Sequence, residues 1–246
     1  AGRDGYWSVF CKDSYSGQIV YCIEPGVHCA TGDLNSAYGE SFWDSYPSSL
    51  NPTISPTAIK AYIGRIMLYG WQGNGESSKR GRITVETELP EELAAPIATQ
   101  LLVWETVVGE RDSQFNHVWG SSQGYNNVIE MIRDDHPLRS QIFSYYDQIE
   151  SAVQQHTMLP SFFNRSSAAA GSYELKWNGT NYSVTLTDTN GVLGNFKFSS
   201  NISGIQFSVS GNQLTISCDT APTGAVSITA EKNNATRRGV VVWGDG

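Results

Sequence analysis

The sequence has few charged residues and no long apolar run, and each shortage excludes a class of protein. Charged side chains are only 16% of the 246 residues, and 24 acidic against 16 basic groups give a net charge of −8. No basic run is longer than the pair Lys79 and Arg80. Because phosphate backbones are bound by clustered lysine and arginine, we expect no nucleic-acid partner. No apolar segment approaches the roughly 18 residues of a membrane span, so we expect none in this stretch of chain.

Cysteine is also scarce, with four residues at Cys11, Cys22, Cys29 and Cys218. No two of them have C-x-x-C spacing, and His28 beside Cys29 has no second pair of ligands, so the sequence predicts no metal site and no cofactor. Four cysteines allow three disulfide connectivities, and the spacing does not choose among them. No signal peptide is recognisable, which predicts either a mature fragment or a protein that is never exported.

Three parts of the chain differ in the period of their apolar residues. Residues 1–50 contain two short β-prone runs, GYWSVFC and GQIVYCI. Residues 51–165 have helical spacing, and residues 166–246 alternate with a period of two around turns such as Asn-Gly. The sequence therefore predicts an α+β fold, an antiparallel β-sandwich or barrel with an inserted helical subdomain, as one domain over residues 1–246. The alternative is a helical domain followed by a β domain, divided near residues 164–172.

The helical part is the best marked. Ser55 can cap a first helix that has Pro56 at its first position. A second helix is predicted from about Pro96 to Val108, and weaker helices are predicted near 124–134 and 137–155. The apolar face predicted for the last helix is Leu138, Ile142, Tyr145, Tyr146, Ile149 and Val153.

Two residues stand out as candidates for chemistry. Cys22 ends a β-like run, VYCIEPG, just before a Pro-Gly break. Gln100 lies three residues after Ile97 and four before Trp104, so it points along the apolar stripe of the second predicted helix. A buried primary amide needs hydrogen-bond partners. A glutamine at the edge of the stripe, bonded to the backbone, would satisfy that need without any chemistry.

Three stretches read together resemble the motifs of the thioester domains of Gram-positive surface adhesins. They are YCIEPG at residues 21–26, IMLYGW at residues 66–71 and TQLLVWE at residues 99–105. Their order and character match an aromatic-Cys-aliphatic stretch, a helical stretch that ends Leu-Tyr-(Tyr)-Gly, and a Thr-Gln-hydrophobic-hydrophobic-x-Trp helix. Gly70 follows the single Tyr69 where many members have two tyrosines, which leaves the role of Tyr69 open.

The resemblance implies that Cys22 and Gln100 form an internal thioester, with Cys22 Sγ attacking the side-chain carbonyl of Gln100 and expelling ammonia. It implies a covalent adhesion module that reacts once and is not an enzyme. The partner would be a host surface or extracellular-matrix protein, whose lysine amine or hydroxyl is acylated by Gln100. The resemblance places the domain outside the cell, on a bacterial surface, with a cell-wall anchor in the full-length protein, and we expect a monomer.

The sequence also indicates which residues would surround the candidate pair. The predicted site-lining residues are Tyr21, Tyr69, Trp71, Thr99 and Trp104. His28 is the nearest titratable candidate for a base. The other histidines, His117, His136 and His156, are expected at the surface or at helix ends.

Two other functions stay open at this point. One is a cysteine-nucleophile acyl-transfer enzyme that uses Cys22 and a histidine. The other is a non-covalent β-rich binding domain whose cysteines form structural disulfides. If the thioester uses Cys22, the three remaining cysteines are an odd number, and we expect them to be buried and reduced.

Overall fold

The structure, a computed structural model, describes residues 10–13, 19–23, 25, 40–44, 46, 51–71, 83–86, 94–120, 127–165, 171–233 and 241–242. Contacts divide the chain into two compact units, one of Ala1–His156 with Thr236–Gly246 and one of Thr157–Ala235. Helices and mainly antiparallel sheets confirm the α+β class, and no sheet of the described residues closes into a barrel. The predicted single domain with internal boundaries at residues 50 and 165 stays a prediction.

The described elements have the following bounds. The strands are β1 (Phe10–Asp13), β2 (Ile19–Cys22), β3 (Ile83–Glu86), β4 (Lys176–Trp177), β5 (Tyr182–Thr187), β6 (Phe196–Ser200), β7 (Gln206–Ser210), β8 (Gln213–Cys218), β9 (Ile228–Lys232) and β10 (Val241–Val242). The α-helices are α1 (Pro56–Tyr69), α2 (Ala94–Val108) and α3 (Arg139–Gln155), and short 3-10 helices lie at Glu40–Asp44, Val128–Met131 and Leu193–Asn195.

The first unit contains a four-stranded sheet in the order β10-β2-β1-β3. β1 is antiparallel to both β2 and β3, and β10 is parallel to β2 with Val242 opposite Cys22. Two strands differ from the prediction, because β3 lies inside the segment expected to be helical, and β10 joins the first unit instead of the preceding C-terminal strands. β3 is a short strand among helical segments, and the local sequence of β10 does not indicate which strand it pairs with.

α1 begins and ends as its sequence predicts. The Ser55 side chain accepts a hydrogen bond from the backbone N–H of Ala58 over 3.3 Å, and Pro56 occupies the first turn, where a missing N–H costs nothing. The helix ends at Tyr69, and Gly70 is extended. Its buried stripe is Ile59, Tyr62, Ile63, Ile66 and Met67.

α2 is the central helix of the first unit and is buried on nearly every side. It starts at Ala94, two residues before the prediction, and the side chains of Ala94–Thr99 are all buried. A helix that is apolar all round belongs in a core. Asn51 contacts the C-terminal end of α2, where its amide donates to the carbonyl of Thr106 over 2.6 Å.

α3 packs one face on this core, through Ile142, Tyr146, Ile149 and Val153. The predicted face also included Tyr145, which is wrong, since that side chain is 44% exposed. One residue corresponds to 100° of helix rotation, so neighbouring tyrosines cannot share the centre of one stripe. The helix predicted near 124–134 is a 3-10 helix of four residues, Val128–Met131, among the described residues.

The second unit is all β. Its four-stranded sheet has the order β4-β5-β8-β7 with antiparallel pairs, and β6 pairs with β9 in a separate two-stranded sheet. Residues of both sheets meet in one core around Leu186, Leu193, Leu214 and Ile216. The hairpin predicted at Asn-Gly is confirmed, because Lys176 and Trp177 pair with Ser183 and Tyr182. In the described part of the chain, no helix has the length and apolar character needed to cross a membrane.

Candidate functional site

Cys22 and Gln100 meet at the end of β2, 78 residues apart in sequence. The backbone N–H of Cys22 donates to Gln100 Oε1 over 2.9 Å, and Gln100 Nε2 donates to the backbone carbonyl of Cys22 over 2.7 Å. Both residues are half buried. The side-chain amide thus pairs with the strand as another strand would, and this two-point contact fixes the orientation of the amide plane beside the cysteine.

α2 supplies a second contact at the neighbouring residue. The Thr99 hydroxyl is fully buried, donates to the Ala95 carbonyl over 2.8 Å and accepts from the backbone N–H of Trp71 over 2.9 Å. Tyr21, next to Cys22 on β2, donates its hydroxyl to the carbonyl of Trp71 over 2.5 Å. Both polar backbone groups of Trp71 are therefore held by residues adjacent to the candidate pair.

The Tyr21 hydroxyl is a fixed donor and not a base. Burial raises its pKa well above the ordinary tyrosine value, and its hydrogen bond with Thr99 only partly opposes this. A tyrosine with a raised pKa stays protonated at every physiological pH. Its contribution at this site is to position the backbone around Cys22.

The remaining predicted site residues pack on the core of the first unit. Trp71 and Trp104 are half buried against the same core, and Trp104 Nε1 is a buried donor with no hydrogen-bond partner in the described structure. The Tyr69 hydroxyl is 2.9 Å from Nδ1 of His156, the residue that follows α3. His28 lies outside the described residues, so its role as a base stays a prediction.

The expectation for His117 is wrong, whereas His136 lies at the start of α3 as expected, although it is buried. His136 is only 6% exposed, and its Nδ1 accepts the backbone N–H of Leu138 over 3.1 Å. The His117 side chain is 13% exposed and lies beside Glu105 and Glu110. The sequence carried one usable signal, because Glu105 is a charged residue in a helix that is otherwise apolar on nearly every side, and such a residue must be buried with partners.

Of the remaining cysteines, Cys218 is described fully. It is buried in β8 and forms no disulfide. Cys29 and the side chain of Cys11 lie outside the described residues. That Cys11 and Cys29 are buried and reduced therefore stays a prediction.

The geometry suits acyl chemistry at the Gln100 side chain. A backbone N–H aimed at a carbonyl oxygen from 2.9 Å stabilises the negative charge that the oxygen gains when a nucleophile adds to the carbon. The residue that donates this hydrogen bond, Cys22, also carries a thiol. One residue thus brings both a potential nucleophile and a donor for the carbonyl oxygen.

Comparison with known proteins gives one structural likeness. No known protein family and no curated protein matches the sequence. Among solved structures, the chain is similar to the thioester domain of the Staphylococcus aureus TIE protein, with 18% sequence identity and a TM-score of 0.37 over 89% of this chain and 75% of that one.

Proposed function

We propose that Cys22 and Gln100 form an internal thioester and that the protein is a covalent adhesion module. In the forming step, Cys22 Sγ attacks the Gln100 side-chain carbon. The carbon–nitrogen bond breaks, the thiol proton moves to the departing nitrogen, and ammonia leaves. The product is a sulfur–carbonyl bond that stores an acyl group until a stronger nucleophile arrives.

The pair of hydrogen bonds between Cys22 and Gln100 is the observation that carries this proposal. A thiol and an amide held in one orientation react as if at a very high local concentration. In the best intramolecular reactions this effect lowers the barrier by about 7 kcal/mol or more. The Cys22 N–H polarises the Gln100 carbonyl in both the forming and the opening reaction. Partial burial of both residues limits competing attack by water.

In the second step an amine or hydroxyl of a partner protein attacks the same carbon. The carbon–sulfur bond breaks, the Cys22 sulfur takes the proton of the nucleophile, and Gln100 ends joined to the partner. Only about one lysine in a thousand is neutral at physiological pH, so the partner amine must be desolvated or deprotonated at the site. Because Gln100 is consumed, each chain reacts once and is not an enzyme.

We propose that this chemistry takes place on a bacterial cell surface. A covalent bond to a host surface or extracellular-matrix protein resists forces that would remove a non-covalent ligand, which suits a domain displayed on a bacterial cell surface. The low fraction of charged residues and the all-β second unit fit an extracellular domain. The net charge of −8 does not favour nucleic acid as the partner.

The mass of the intact, unreduced protein tests the first step. A thioester makes the chain lighter than its sequence by one ammonia, whereas each disulfide removes two hydrogens and a thiol enzyme shows no deficit. Cys22→Ala and Gln100→Ala should each restore the full mass for their own sequences. Cys218→Ala is the matched control, since it removes a buried cysteine of the second unit and should keep the ammonia deficit.

Methylamine tests the second step. It should add to Gln100 and release one thiol at Cys22, because a thioester reacts with amines under conditions in which an amide does not. Wild type and Cys218→Ala should be labelled, and Cys22→Ala and Gln100→Ala should not. A full-mass wild type that takes up no amine would contradict the proposal, and labelling that persists without Cys22 would assign the acyl group elsewhere.

A further inference from the structure

His117 lies in a polar cluster inside the first unit, on the segment that follows α2. Its side chain is only 13% exposed, and neither buried ring nitrogen has a hydrogen-bond partner in the described structure. The ring stacks on Trp119, with 4.4 Å between the centroids. Burying an imidazole without any hydrogen bond costs free energy, which a bound ligand would offset.

Two carboxylates face the same ring nitrogen. His117 Nε2 is 3.7 Å from Glu105 Oε1 and 3.7 Å from Glu110 Oε2. These distances are too long for hydrogen bonds. They suit two ligands of one ion, because atoms each about 2.1 Å from a metal are about 3.0–4.2 Å apart at ordinary coordination angles. All three groups offer an atom within 4.8 Å of the other two.

Each carboxylate is oriented by hydrogen bonds from its neighbours, including one to the oxygen that faces His117, which is Oε1 of Glu105 and Oε2 of Glu110. Arg111 donates to Glu105 Oε2 over 2.8 Å from Nε and 2.5 Å from Nη2, while Oε1 receives only the Tyr146 hydroxyl, at 2.9 Å. Glu110 accepts the backbone N–H of Val128 at 3.0 Å and 3.2 Å. Such supporting hydrogen bonds orient the ligands in protein metal sites.

The cluster carries more negative than positive charge, because one guanidinium faces three carboxylates. The guanidinium of Arg111 bonds Glu105 and Glu150, and Glu110 is the third carboxylate nearby.

The backbone holds His117 opposite the glutamates before any ligand arrives. Arg111 and His117 form an isolated antiparallel bridge, and the N–H of Val118 donates to the carbonyl of Glu110 over 2.9 Å. Phe115, at the turn between them, is fully buried with φ of 66°, a conformation that costs free energy for a bulky residue. The segment is therefore a fixed loop that presents its side chains in one arrangement.

We propose that Glu105, Glu110 and His117 bind one divalent transition-metal ion of the Zn²⁺ class. One imidazole nitrogen with two carboxylate oxygens is a donor set that suits such ions, whereas Ca²⁺ and Mg²⁺ prefer oxygen alone. The ion would join α2 to the loop that follows it, on the helix that carries Gln100. This site does not depend on the thioester. The expectation of no metal site rested on the spacing of the cysteines and on the lack of a second pair of ligands for His28 and Cys29.

Calorimetric titration of the chelator-treated full chain with Zn²⁺ tests the proposal. We expect saturation at one ion per chain, both in wild type and in Cys22→Ala, so the outcome is separate from that of the thioester. Co²⁺ as a second probe should give the weak visible bands of nitrogen and oxygen ligands. Intense thiolate charge-transfer bands in its place would assign the ion to cysteine and overturn the proposal.

Three variants give the decisive comparison. His117→Gln and Glu110→Gln should each weaken Zn²⁺ binding at least tenfold. At position 110 glutamine keeps an acceptor for the N–H of Val128. The His117 side chain makes no hydrogen bond that its replacement would remove, so both variants should fold. Glu130→Gln, on the exposed side of the 3-10 helix, is the matched control and should bind as wild type does. Absent binding, or equal binding in all variants as an adventitious cation only, would overturn the proposal, and circular dichroism checks the fold.

Discussion

Thr99 and Trp71 are joined by a hydrogen bond in which the backbone N–H of Trp71 donates to the Thr99 hydroxyl over 2.9 Å. Thr99 immediately precedes Gln100, and Trp71 lies just beyond the end of α1. The bond therefore connects the helix of the proposed acyl donor to the segment that Tyr21 also contacts. Loss of this bond should affect both stability and the reactivity of the site.

Thr99→Val should lower the free energy of unfolding and slow methylamine uptake. Valine has nearly the shape of threonine but no acceptor, which leaves the partly buried N–H of Trp71 unsatisfied at a cost of at most about 1–3 kcal/mol. Thr99→Ser keeps the hydroxyl and should retain most of the uptake rate. Urea denaturation measures the stability, and the rate of mass gain in methylamine measures the reactivity.

Thr106 provides a matched control on the same helix. Its hydroxyl is also fully buried and donates to the carbonyl four residues earlier, at 2.7 Å from Leu102. Thr106→Val therefore removes a buried hydroxyl far along α2 from Gln100 and should leave the uptake rate unchanged. Equal slowing in both valine variants would show that the Trp71 contact has no special part in positioning the site.

Gly70→Ala should destabilise the first unit through lack of space. A Cβ on Gly70 would lie 2.6 Å from the Ile66 carbonyl oxygen and 2.7 Å from two side-chain atoms of Thr99. Its φ of −79° is ordinary, so the penalty is steric and not conformational. Overpacking of this kind costs about 1–3 kcal/mol. Gly224→Ala, where a Cβ meets nothing within 4 Å, is the control, and a melting temperature that falls equally in both would refute the steric explanation.

Local signals in the sequence predicted the elements that local chemistry determines. Ser55 and Pro56 mark the start of α1 because capping depends on neighbours along the chain. The Asn-Gly turn predicts the β4–β5 hairpin for the same reason, and Gly179 in that turn has φ of 100°. Gln100 lies on the same stripe as Ile97 and Trp104, but the resemblance of three motifs, and not this position, identified it as a candidate for chemistry.

Contacts between residues far apart in the chain could not be predicted from the sequence. β10 lies in a segment predicted to be a strand, but it pairs with β2 through Val242 and Cys22, which are 220 residues apart, and no local pattern identifies so distant a partner. His117 becomes buried only because the loop after α2 folds back so that it faces Glu105 and Glu110. No spacing rule predicts three ligand-type residues on a helix end and a loop, so the cluster required the structure.

Asp188→Asn should destabilise the second unit in a pH-dependent way. Asp188 is fully buried, and its carboxylate accepts backbone N–H groups from Ser161 at 2.7 Å, Asn190 at 3.0 Å and Val192 at 2.7 Å. Burial alone would raise its pKa, but these bonds outweigh burial and lower it. The replacement amide presents a donor to at least one of these donors, which costs about 1–3 kcal/mol at neutral pH.

The sign of the pH effect follows from the lowered pKa. A carboxylate whose pKa is lower in the folded state adds stability above its unfolded value of about 4, and that stability is lost as the pH falls through the folded pKa. The difference in unfolding free energy between wild type and Asp188→Asn should therefore shrink below about pH 4. Urea denaturation at a series of pH values measures it, with the exposed Asp219→Asn as control. A difference that is constant down to pH 2 would contradict this account.

Cys22→Ala should melt at a lower temperature than wild type while keeping the same fold. A bond from Cys22 to Gln100 closes a loop of 79 residues. Chain-entropy arguments developed for disulfides give about 4.5 kcal/mol for a loop of that size. At roughly 2–4 °C per kcal/mol, the upper limit is about 10–18 °C in melting temperature, and engineered links usually give less.

Opening the bond chemically separates the effect of the link from the effect of the substitution. Wild type treated with methylamine keeps the Cys22 side chain but loses the closed loop, so it should melt within a few degrees of Cys22→Ala. Circular dichroism should show the same secondary structure in all three samples, because burial of the core around α2 and not the link maintains the fold. If intact wild type has the ammonia deficit yet melts together with Cys22→Ala, the link supplies reactivity without stability. The entropy of the unfolded chain would then not be limited by this loop, because residual structure already restricts it.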